Sequence, residues 1–277
     1  MNDTISSSKV GVYIDAENMR LNGGFGMQYD VLREFTCRDG AEAVRLNVYV
    51  AYDEERAAKD SKYKYKINEF FFVLREYGYK INRKIVKWFT DDSGSRYCKA
   101  NADLDMAVDA LLQSEYLDRV VFATGDGDFV KVVRALQNRG CRVEIVAFQN
   151  VSKELRYEAD MFMPGYLIPN LFPIKQPRGK NWGDTGSIVV GRCYHYDQQR
   201  GRGYMRYITR ISGGLWITDA RNPNSPYRTA YFTKSDLPEG TAPYDLPDRN
   251  LIFQFKLAEQ IEGGSAHAMD LKLLAEL

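Results

Sequence analysis

The strongest constraint on the fold is a regular alternation of strand-like and helix-like segments over the first 170 residues. The strand-like segments are short apolar runs, such as "VGVYID" and "RVVFAT", and each is followed by residues with helical spacing. Strands that alternate with helices over short loops form a mostly parallel sheet covered on both faces. The sequence therefore predicts an α/β fold for this part of the chain.

A change of composition after residue 170 divides the chain. The segment 171–186 is rich in Pro, Gly and Lys and breaks the periodic pattern, which is typical of a linker. Beyond it lie short strand candidates separated by turns: "SIVVGRCYHY", "RGYMRYITRI", "LWITDA", "TAYFTKSDL", "LIFQFKLAEQ" and "AHAMDLKLL". Their spacing predicts a small all-β barrel at 187–277, after a disordered tail at 1–8 and an α/β domain at 9–170.

Composition excludes several classes of protein. The 277 residues carry a net charge of +1 and are 44% hydrophobic, which is typical of a globular protein. No apolar run reaches the roughly 18 residues of a membrane span, and the start lacks a signal-peptide pattern, so we expect no membrane segment and a cytoplasmic location. The cysteines are far apart and only two histidines could join them, so we expect reduced thiols and no zinc site: Cys37, Cys98, Cys141, Cys193, His195 and His267.

Charge is distributed unevenly. Between Lys59 and Lys87 nine Lys or Arg residues stand against three acids, whereas Asp and Glu gather at 103–109 and 126–128. A basic rim beside an acidic centre suits an anionic polymer held over metal ions, with Lys84 and Lys87 as candidate RNA contacts. The alternative is that 59–77 is the solvated face of a helix.

Aspartates gather where the predicted strands end. Asp15 closes the first strand, and Asp126 and Asp128 follow "RVVFAT". Because ligands of a parallel sheet bind outside the carboxyl ends of its strands, these side chains can share a site with Asp103, near the start of a helix. Clustered carboxylates without neutralising lysines are tolerated chiefly around a cation, and oxygen ligands suit Mg²⁺ or Mn²⁺. Two such ions can hydrolyse a phosphodiester.

Other interpretations of these residues stay open. An aspartate at a strand end commonly caps the next helix, and Asp105 with Asp109 can form a solvated helix face. Asp103 and Asp109 lie about 120° apart on a helical wheel, so the three helix aspartates cannot all face inward. The loop "ATGDGDF" lacks the Gly-Lys-Ser/Thr ending of a P-loop and the distal Glu of an EF-hand, which leaves a tight turn or a metal site.

Five motifs in a fixed order carry a family resemblance: "VYIDAEN", "KANADLDMAVDAL", "FATGDGDFVKVVRAL", "GCRVEIVAF" and "SKELRYEADMF". In this order the chain resembles the NYN domain family, the LabA-like branch of the PIN-type nucleases, over roughly residues 9–170. The resemblance implies a Rossmann-like PIN fold and a ribonuclease that depends on Mg²⁺ or Mn²⁺. Two departures are Gly127, where the family has Ser, and "KANADLD", which is longer than its Lys-Gly-Val-Asp.

The resemblance also implies the residues of the site. The candidates for catalysis and metal binding are Asp15, Asp103, Asp126 and Asp128. Asp105 stays an alternative to Asp103, although the six-residue step to Asp109 favours Asp103. Residues that would support the metal site or contact substrate phosphate are Asn18, Thr124, Asp109 and Lys99.

The second half opens with "GRCYHYDQQRGRGYMR", which resembles the first two strands of cold-shock domains, and its later strands match the rest of that five-stranded OB barrel. The resemblance covers about 187–275 and implies single-stranded RNA bound by bases that stack on outward side chains. The stacking positions hold His195, Arg202, Tyr204 and Tyr231. The alternative uses of the barrel are packing against the α/β domain and formation of a homodimer.

The leading interpretation is a metal-dependent ribonuclease whose barrel holds single-stranded RNA. The alternative is a non-catalytic RNA-binding or regulatory protein that keeps the acidic pocket. A phosphatase or nucleotide hydrolase is disfavoured, because the chain lacks a DxDxT nucleophile and a P-loop.

Overall fold

The computed structural model describes residues 7–90, 94–99, 102–259 and 265–277, and the chain divides into two compact units. One unit comprises Met1–Phe25 and Gly40–Met163, and the other comprises Gly26–Asp39 and Pro164–Leu277. The boundaries expected from composition, with a linker at 171–186, stay a prediction.

The α-helices of the described chain are short, except for α4. They are α1 (Ala16–Met19), α2 (Tyr29–Thr36), α3 (Glu54–Lys59), α4 (Ser61–Glu76), α5 (Asp103–Gln113), α6 (Val130–Asn138) and α7 (Lys153–Glu158). The strands up to the end of the α/β region are β1 (Lys9–Asp15), β2 (Glu42–Tyr52), β3 (Lys80–Ile85), β4 (Lys87–Thr90), β5 (Arg96–Lys99), β6 (Arg119–Ala123), β7 (Arg142–Ala147) and β8 (Met161–Pro164).

The main sheet has the strand order β3-β2-β1-β6-β7-β8, and the pairs from β3 to β7 are parallel. Strands β1, β6 and β7 are buried along almost their whole length, which explains their continuous apolar sequence. The prediction of an α/β fold with a mostly parallel sheet is confirmed.

From β1 the chain builds the sheet outward on one side, through β2 and β3, and later on the other side, through β6 and β7. The strand order therefore reverses between β1 and β6. Ile14 pairs with Ala123, so the residues after these two strands emerge side by side at the carboxyl edge of the sheet. Such a switch point is where open α/β sheets bind ligands. The topology therefore brings Asp15 next to the loop that starts at Thr124.

Two elements of the α/β region differ from the sequence prediction. The segment "EERAAKDSKYKYKINEFFFVLREYGY" has the spacing of one long helix but forms two, because Asp60 is extended and its carboxylate accepts a hydrogen bond from the Tyr63 N–H, which starts α4. The segment "KINRKIVKW" has the pattern of one strand but is divided: β3 joins the main sheet, whereas β4 pairs antiparallel with β5.

The second unit is built on a closed barrel of five strands. These are β9 (Ile188–Asp197), β10 (Arg202–Ile208), β11 (Tyr227–Thr233), β12 (Leu251–Ala258) and β13 (Ala266–Glu276). The order around the barrel is β10-β11-β13-β12-β9, with β11 and β13 parallel and the other pairs antiparallel. Its interior is filled by apolar side chains such as Met205, Phe232 and Phe253. The predicted OB-like barrel is confirmed.

The segment "LWITDA" was expected to be a strand and is not. The Ser212 hydroxyl accepts a hydrogen bond from the Gly214 N–H and starts a 3-10 turn, Gly213–Trp216, that replaces the extended backbone. Trp216 is 81% exposed, so the apolar residues of this segment do not all enter the barrel. The connection between β10 and β11 is therefore long and irregular.

Two further expectations concern membranes and cysteines. Within the described ranges, no helix combines the length and apolar character that crossing a membrane requires. Cys37, Cys141 and Cys193 are free thiols, and the side chain of Cys98 lies outside the described part.

Candidate functional site

Asp15 lies at the carboxyl end of β1 and is only 9% exposed. Its Oδ1 accepts hydrogen bonds from the backbone N–H groups of Glu17 at 3.1 Å and Asn18 at 2.9 Å, so it caps α1. Burial raises its pKa to about 6, and the nearby carboxylates of Asp103 and Asp126 add to this rise against the opposing hydrogen bonds. Asp15 is thus both a helix cap and a member of an acidic group.

The loop after β6 holds its aspartates by short-range hydrogen bonds. The Asp126 N–H donates to the buried Thr124 Oγ1 at 3.2 Å, and Asp126 Oδ1 accepts from the Asp128 N–H at 2.9 Å. The second bond caps a 3-10 turn, Gly127–Phe129, that leads into α6. The Gly125 N–H donates to Asn18 Oδ1 at 3.0 Å and so ties this loop to the end of β1.

Close packing against Ser152 explains why position 127 is a glycine. A Cβ atom there would lie 2.8 Å from Ser152 Oγ and 3.1 Å from Ser152 Cβ, closer than such atoms normally approach. Ser152 is fixed because its hydroxyl accepts a hydrogen bond from the Leu155 N–H at the start of α7. Gly127 therefore allows the loop to lie against this helix cap.

The first two aspartates of α5, Asp103 and Asp105, have different surroundings. Burial raises the pKa of Asp103, and the carboxylates of Asp126 and Asp128 raise it further. Asp105 Oδ2 instead accepts from Lys84 Nζ at 2.7 Å in an exposed ion pair. The structure thus brings Asp103, and not Asp105, near Asp126, and none of the described basic side chains pairs with Asp103.

Asp109 follows Asp103 by about 1.7 turns of α5 and has a different partner. Its Oδ2 accepts from the Tyr49 hydroxyl at 2.6 Å, and Tyr49 is buried in the core on β2. Gln113 Oε1 accepts from the Tyr13 hydroxyl in the same way, at 3.1 Å. These bonds fix α5 on the sheet, so Asp109 supports the position of Asp103 instead of joining it.

Among the described side chains, the acidic group has no basic partner. None of the described Lys and Arg side chains forms an ion pair with Asp15, Asp103, Asp126 or Asp128. Lys99 lies on β5, but its side chain is outside the described part. Carboxylate oxygens that repel one another are ligands of the type that a hard divalent cation prefers. Among the residues that the structure describes, no three acidic, His or Cys side chains are already arranged to hold a metal ion.

A row of rings crosses the outer surface of the barrel. His195 on β9 pairs with Tyr204 on β10, Tyr204 pairs with Tyr231 on β11, and Tyr231 pairs with His267 on β13. The Tyr231 and His267 rings are stacked with centroids 4.4 Å apart, and the His195 and Tyr204 centroids are 6.4 Å apart. We call these four residues the aromatic row.

The sequence prediction named three members of the aromatic row and missed His267. Its place depends on the parallel pairing of β11 with β13, which no local pattern reveals. Tyr194 was also missed. It is the extra residue of a bulge in β9, so Tyr194 and the adjacent His195 both lie exposed near Tyr204.

The predicted basic contacts lie outside these two groups. Arg202 is exposed on β10, where it pairs with Asp197 and Thr233. Lys84 is held by Asp105, and Lys87 is exposed on β4. All three are accessible surface cations.

Comparison with known proteins adds family information. A family model described as the NYN domain matches residues 9–168. The low amplitude and bright protein LabA of Synechococcus elongatus (strain ATCC 33912 / PCC 7942 / FACHB-805) is 28% identical over 163 residues, which cover 56% of this chain and 83% of LabA. A crystal structure of a protein of unknown function, VPA0982 from Vibrio parahaemolyticus RIMD 2210633, aligns with a TM-score of 0.46 at 22% identity, over 57% of this chain and 93% of that one.

Proposed function

The chain belongs to the NYN domain family, and on that premise we propose that it is a ribonuclease that uses Mg²⁺ or Mn²⁺ and binds single-stranded RNA on its barrel. NYN domains are part of the PIN-like nuclease superfamily, whose enzymes generally depend on divalent metal ions. The observation that carries the proposal is the acidic group of Asp15, Asp103 and Asp126. Burial raises the pKa of Asp15 and of Asp103 at the switch point of the sheet, and the carboxylate of Asp126 raises both further.

The chain's own carboxylates would hold the ions. Above a pH of about 6 Asp15 is ionised, and its charge lies close to those of Asp103 and Asp126. Three like charges in a partly buried place favour a cation between them. Bound Mg²⁺ or Mn²⁺ supplies an activated water and stabilises the leaving oxygen of a phosphodiester. Asp128, exposed on the same loop, would contact a water of the ion.

Neighbouring residues would keep these carboxylates in position. Asn18 fixes the loop of Asp126 through its hydrogen bond from the Gly125 N–H. Tyr49 fixes α5, and with it Asp103, through its hydrogen bond to Asp109. Residues that position carboxylates in this way reduce the reorganisation that metal binding requires.

The aromatic row supports the second half of the proposal. Stacking of a nucleobase on an aromatic side chain contributes about 1 to 3 kcal/mol and tolerates any base. A row of four rings on an open surface suits a single strand, because the bases of a duplex are not available for stacking on protein. Arg202, exposed on the same barrel, would attract the phosphates.

The test is cleavage of labelled single-stranded RNA by the purified full chain with Mn²⁺ or Mg²⁺. We expect cleavage that EDTA abolishes and that falls more than about 100-fold in the double variant Asp15→Asn, Asp126→Asn, because removal of outer-shell partners alone costs about 10- to 100-fold. Asp105→Asn is the matched control and should retain activity. Equal rates in the wild type and the double variant would overturn the enzymatic proposal.

A second candidate is a non-catalytic RNA-binding or regulatory protein. It is favoured by one observation, the absence among the described residues of three side chains already arranged around a metal ion. RNA binding that survives EDTA and the Asp15→Asn change, without any turnover, would support this candidate.

A further inference from the structure

A cleft of about 960 Å³ opens on the barrel beside the aromatic row. Its lining includes Tyr194 on β9, Arg206 on β10 and Thr229 on β11, together with Asp219 to Asn222 from the connection between β10 and β11. We call it the arginine cleft. Its volume lies at the upper end of the range of about 300 to 1,000 Å³ that is usual for small-molecule sites.

One wall of the arginine cleft is formed by the connection 209–226 between β10 and β11. This connection is longer than the usual hairpin loop of about 2 to 5 residues. The Ser225 hydroxyl donates to the Ile217 carbonyl at 2.7 Å, and the Thr209 hydroxyl donates to the Pro226 carbonyl at 2.9 Å. Ser225 is fully buried. The connection therefore closes on itself instead of forming a plain linker.

Two arginines contribute to the lining of the cleft. The Arg206 guanidinium lies over the Tyr194 ring at 5.6 Å and over the Tyr227 ring at 5.2 Å, so the two rings orient it. The Arg221 side chain is 90% exposed, and its Nε and Nη2 each donate a hydrogen bond of 2.9 Å to Asp219. Guanidinium groups oriented in this way are suited to hydrogen-bond phosphate oxygens. Threonine and serine hydroxyls on other walls can hydrogen-bond a sugar or a base.

The cleft and the aromatic row are continuous through Tyr194. This ring lines the cleft, and its centroid lies 6.2 Å from that of Tyr204 in the row. A strand whose bases stack on the row can therefore place its next nucleotide in the cleft. The exposed rings make this surface better suited to nucleotides than to acidic peptides, since they offer stacking faces beside the cations.

We propose that the arginine cleft binds one nucleotide, with its phosphate at Arg206 and Arg221. This inference rests on the proposed binding of single-stranded RNA to the barrel, and the nucleotide is a unit of that RNA. A free nucleoside monophosphate has the same chemistry and is the other source to distinguish.

The test measures binding of a labelled oligouridylate to the full chain by fluorescence anisotropy in EDTA at several salt concentrations. Arg206→Gln should weaken binding about tenfold, since a lost hydrogen bond to a charged group costs at least about 1.4 kcal/mol. It should also reduce the magnitude of the salt slope by about 0.7, the value for one phosphate on a single strand.

A second variant leaves Arg206 in place, because this side chain also packs on the Tyr194 and Tyr227 rings. Ala220→Glu adds a carboxylate to the cleft lining, and Asn224→Glu adds the same charge to the same connection outside that lining. We expect Ala220→Glu to weaken RNA binding at least about fivefold and Asn224→Glu less than about twofold, since a like charge repels phosphate over a short range.

The variant Tyr204→Ala distinguishes a failure of the cleft inference from a failure of the proposed RNA binding. If Tyr204→Ala weakens RNA binding but both cleft variants keep the wild-type affinity and salt slope, the cleft inference is overturned and RNA binding by the barrel stands. An acidic peptide would then be the better occupant. If the wild type binds no RNA, the proposed RNA binding fails and the inference fails with it. If the cleft variants leave RNA binding unchanged but Ala220→Glu abolishes binding of uridine monophosphate, the source is the free nucleotide and not a unit of RNA.

Discussion

Asp15 combines two properties that are usually assigned to different aspartates. It caps a helix through two backbone hydrogen bonds, and burial still raises its pKa to about 6. The hydrogen bonds stabilise the ionised form, so burial and the neighbouring carboxylates together outweigh them. A plain helix cap at the surface would have a lowered pKa, and the raised value therefore distinguishes this residue from a cap alone.

The raised pKa of Asp15 predicts a pH-dependent stability in the absence of metal. The pKa is about 6 in the folded chain and 3.8 in the reference state, so the folded chain binds more protons between these values. The free energy of unfolding should therefore fall by about 3 kcal/mol as the pH rises from about 3, below the unfolded pKa, to about 7, above the folded pKa. Urea denaturation in EDTA measures this change. Asp15→Asn should remove it, and an identical pH profile in both proteins would contradict the assignment.

Gly127 allows a second prediction at the residue scale, because its Cβ would collide with Ser152. Gly127→Ala should lower the free energy of unfolding by about 1 to 2 kcal/mol, the usual cost of overpacking. In a Ser152→Gly background the same change should cost close to nothing. A double-mutant cycle by urea denaturation measures the coupling. Equal costs in the two backgrounds would show that Ser152 does not require this glycine.

At the scale of the elements, strand register determines the aromatic row. Alternation along each strand identifies outward residues, but it does not reveal which outward residues of different strands are neighbours. The row exists because Tyr204 pairs with both His195 and Tyr231, and because β11 and β13 run parallel. A shift of one residue in any pair would turn one ring into the barrel.

The row predicts that His267 contributes to RNA binding although the sequence did not identify it. Its ring is stacked on Tyr231 and is also held by Asp236 at 3.1 Å. His267→Ala should weaken binding of a labelled oligouridylate by about 1 kcal/mol, near the lower limit for one stacking side chain. Leu273→Ala, an exposed apolar residue of the same strand, is the control and should have no effect. Equal affinities of the two variants would exclude His267 from the interface.

Local sequence patterns predicted much of the fold. Apolar runs identified β1, β6 and β7, because a buried parallel strand needs apolar residues on both faces. The same patterns missed the pairing of β4 with β5 and the break at Asp60. Both depend on contacts and caps that periodicity does not encode. "LWITDA" has the composition of a strand but is turned by Ser212.

At the scale of the molecule, the two units have different chemistry. One unit carries an acidic group at the switch point of a parallel sheet, and the other carries exposed rings and arginines on a barrel. The aspartates proposed for the site each lie next to a strand end or a helix start, which is the pattern that singled them out in the sequence. The choice of Asp103 over Asp105 needed the position of Lys84, which lies on a distant strand.

The most direct test of the central claim is a calorimetric titration of Mn²⁺ into the full chain at a pH of about 7.5, where Asp15 is ionised. The matched pair is Asp103→Asn and Asp105→Asn, which remove the same charge two residues apart on one helix. We expect saturable binding to the wild type, weakened at least about tenfold by Asp103→Asn and less than about twofold by Asp105→Asn, whose carboxylate already pairs with Lys84. Absence of binding to the wild type, or equal binding to all three proteins, would contradict it.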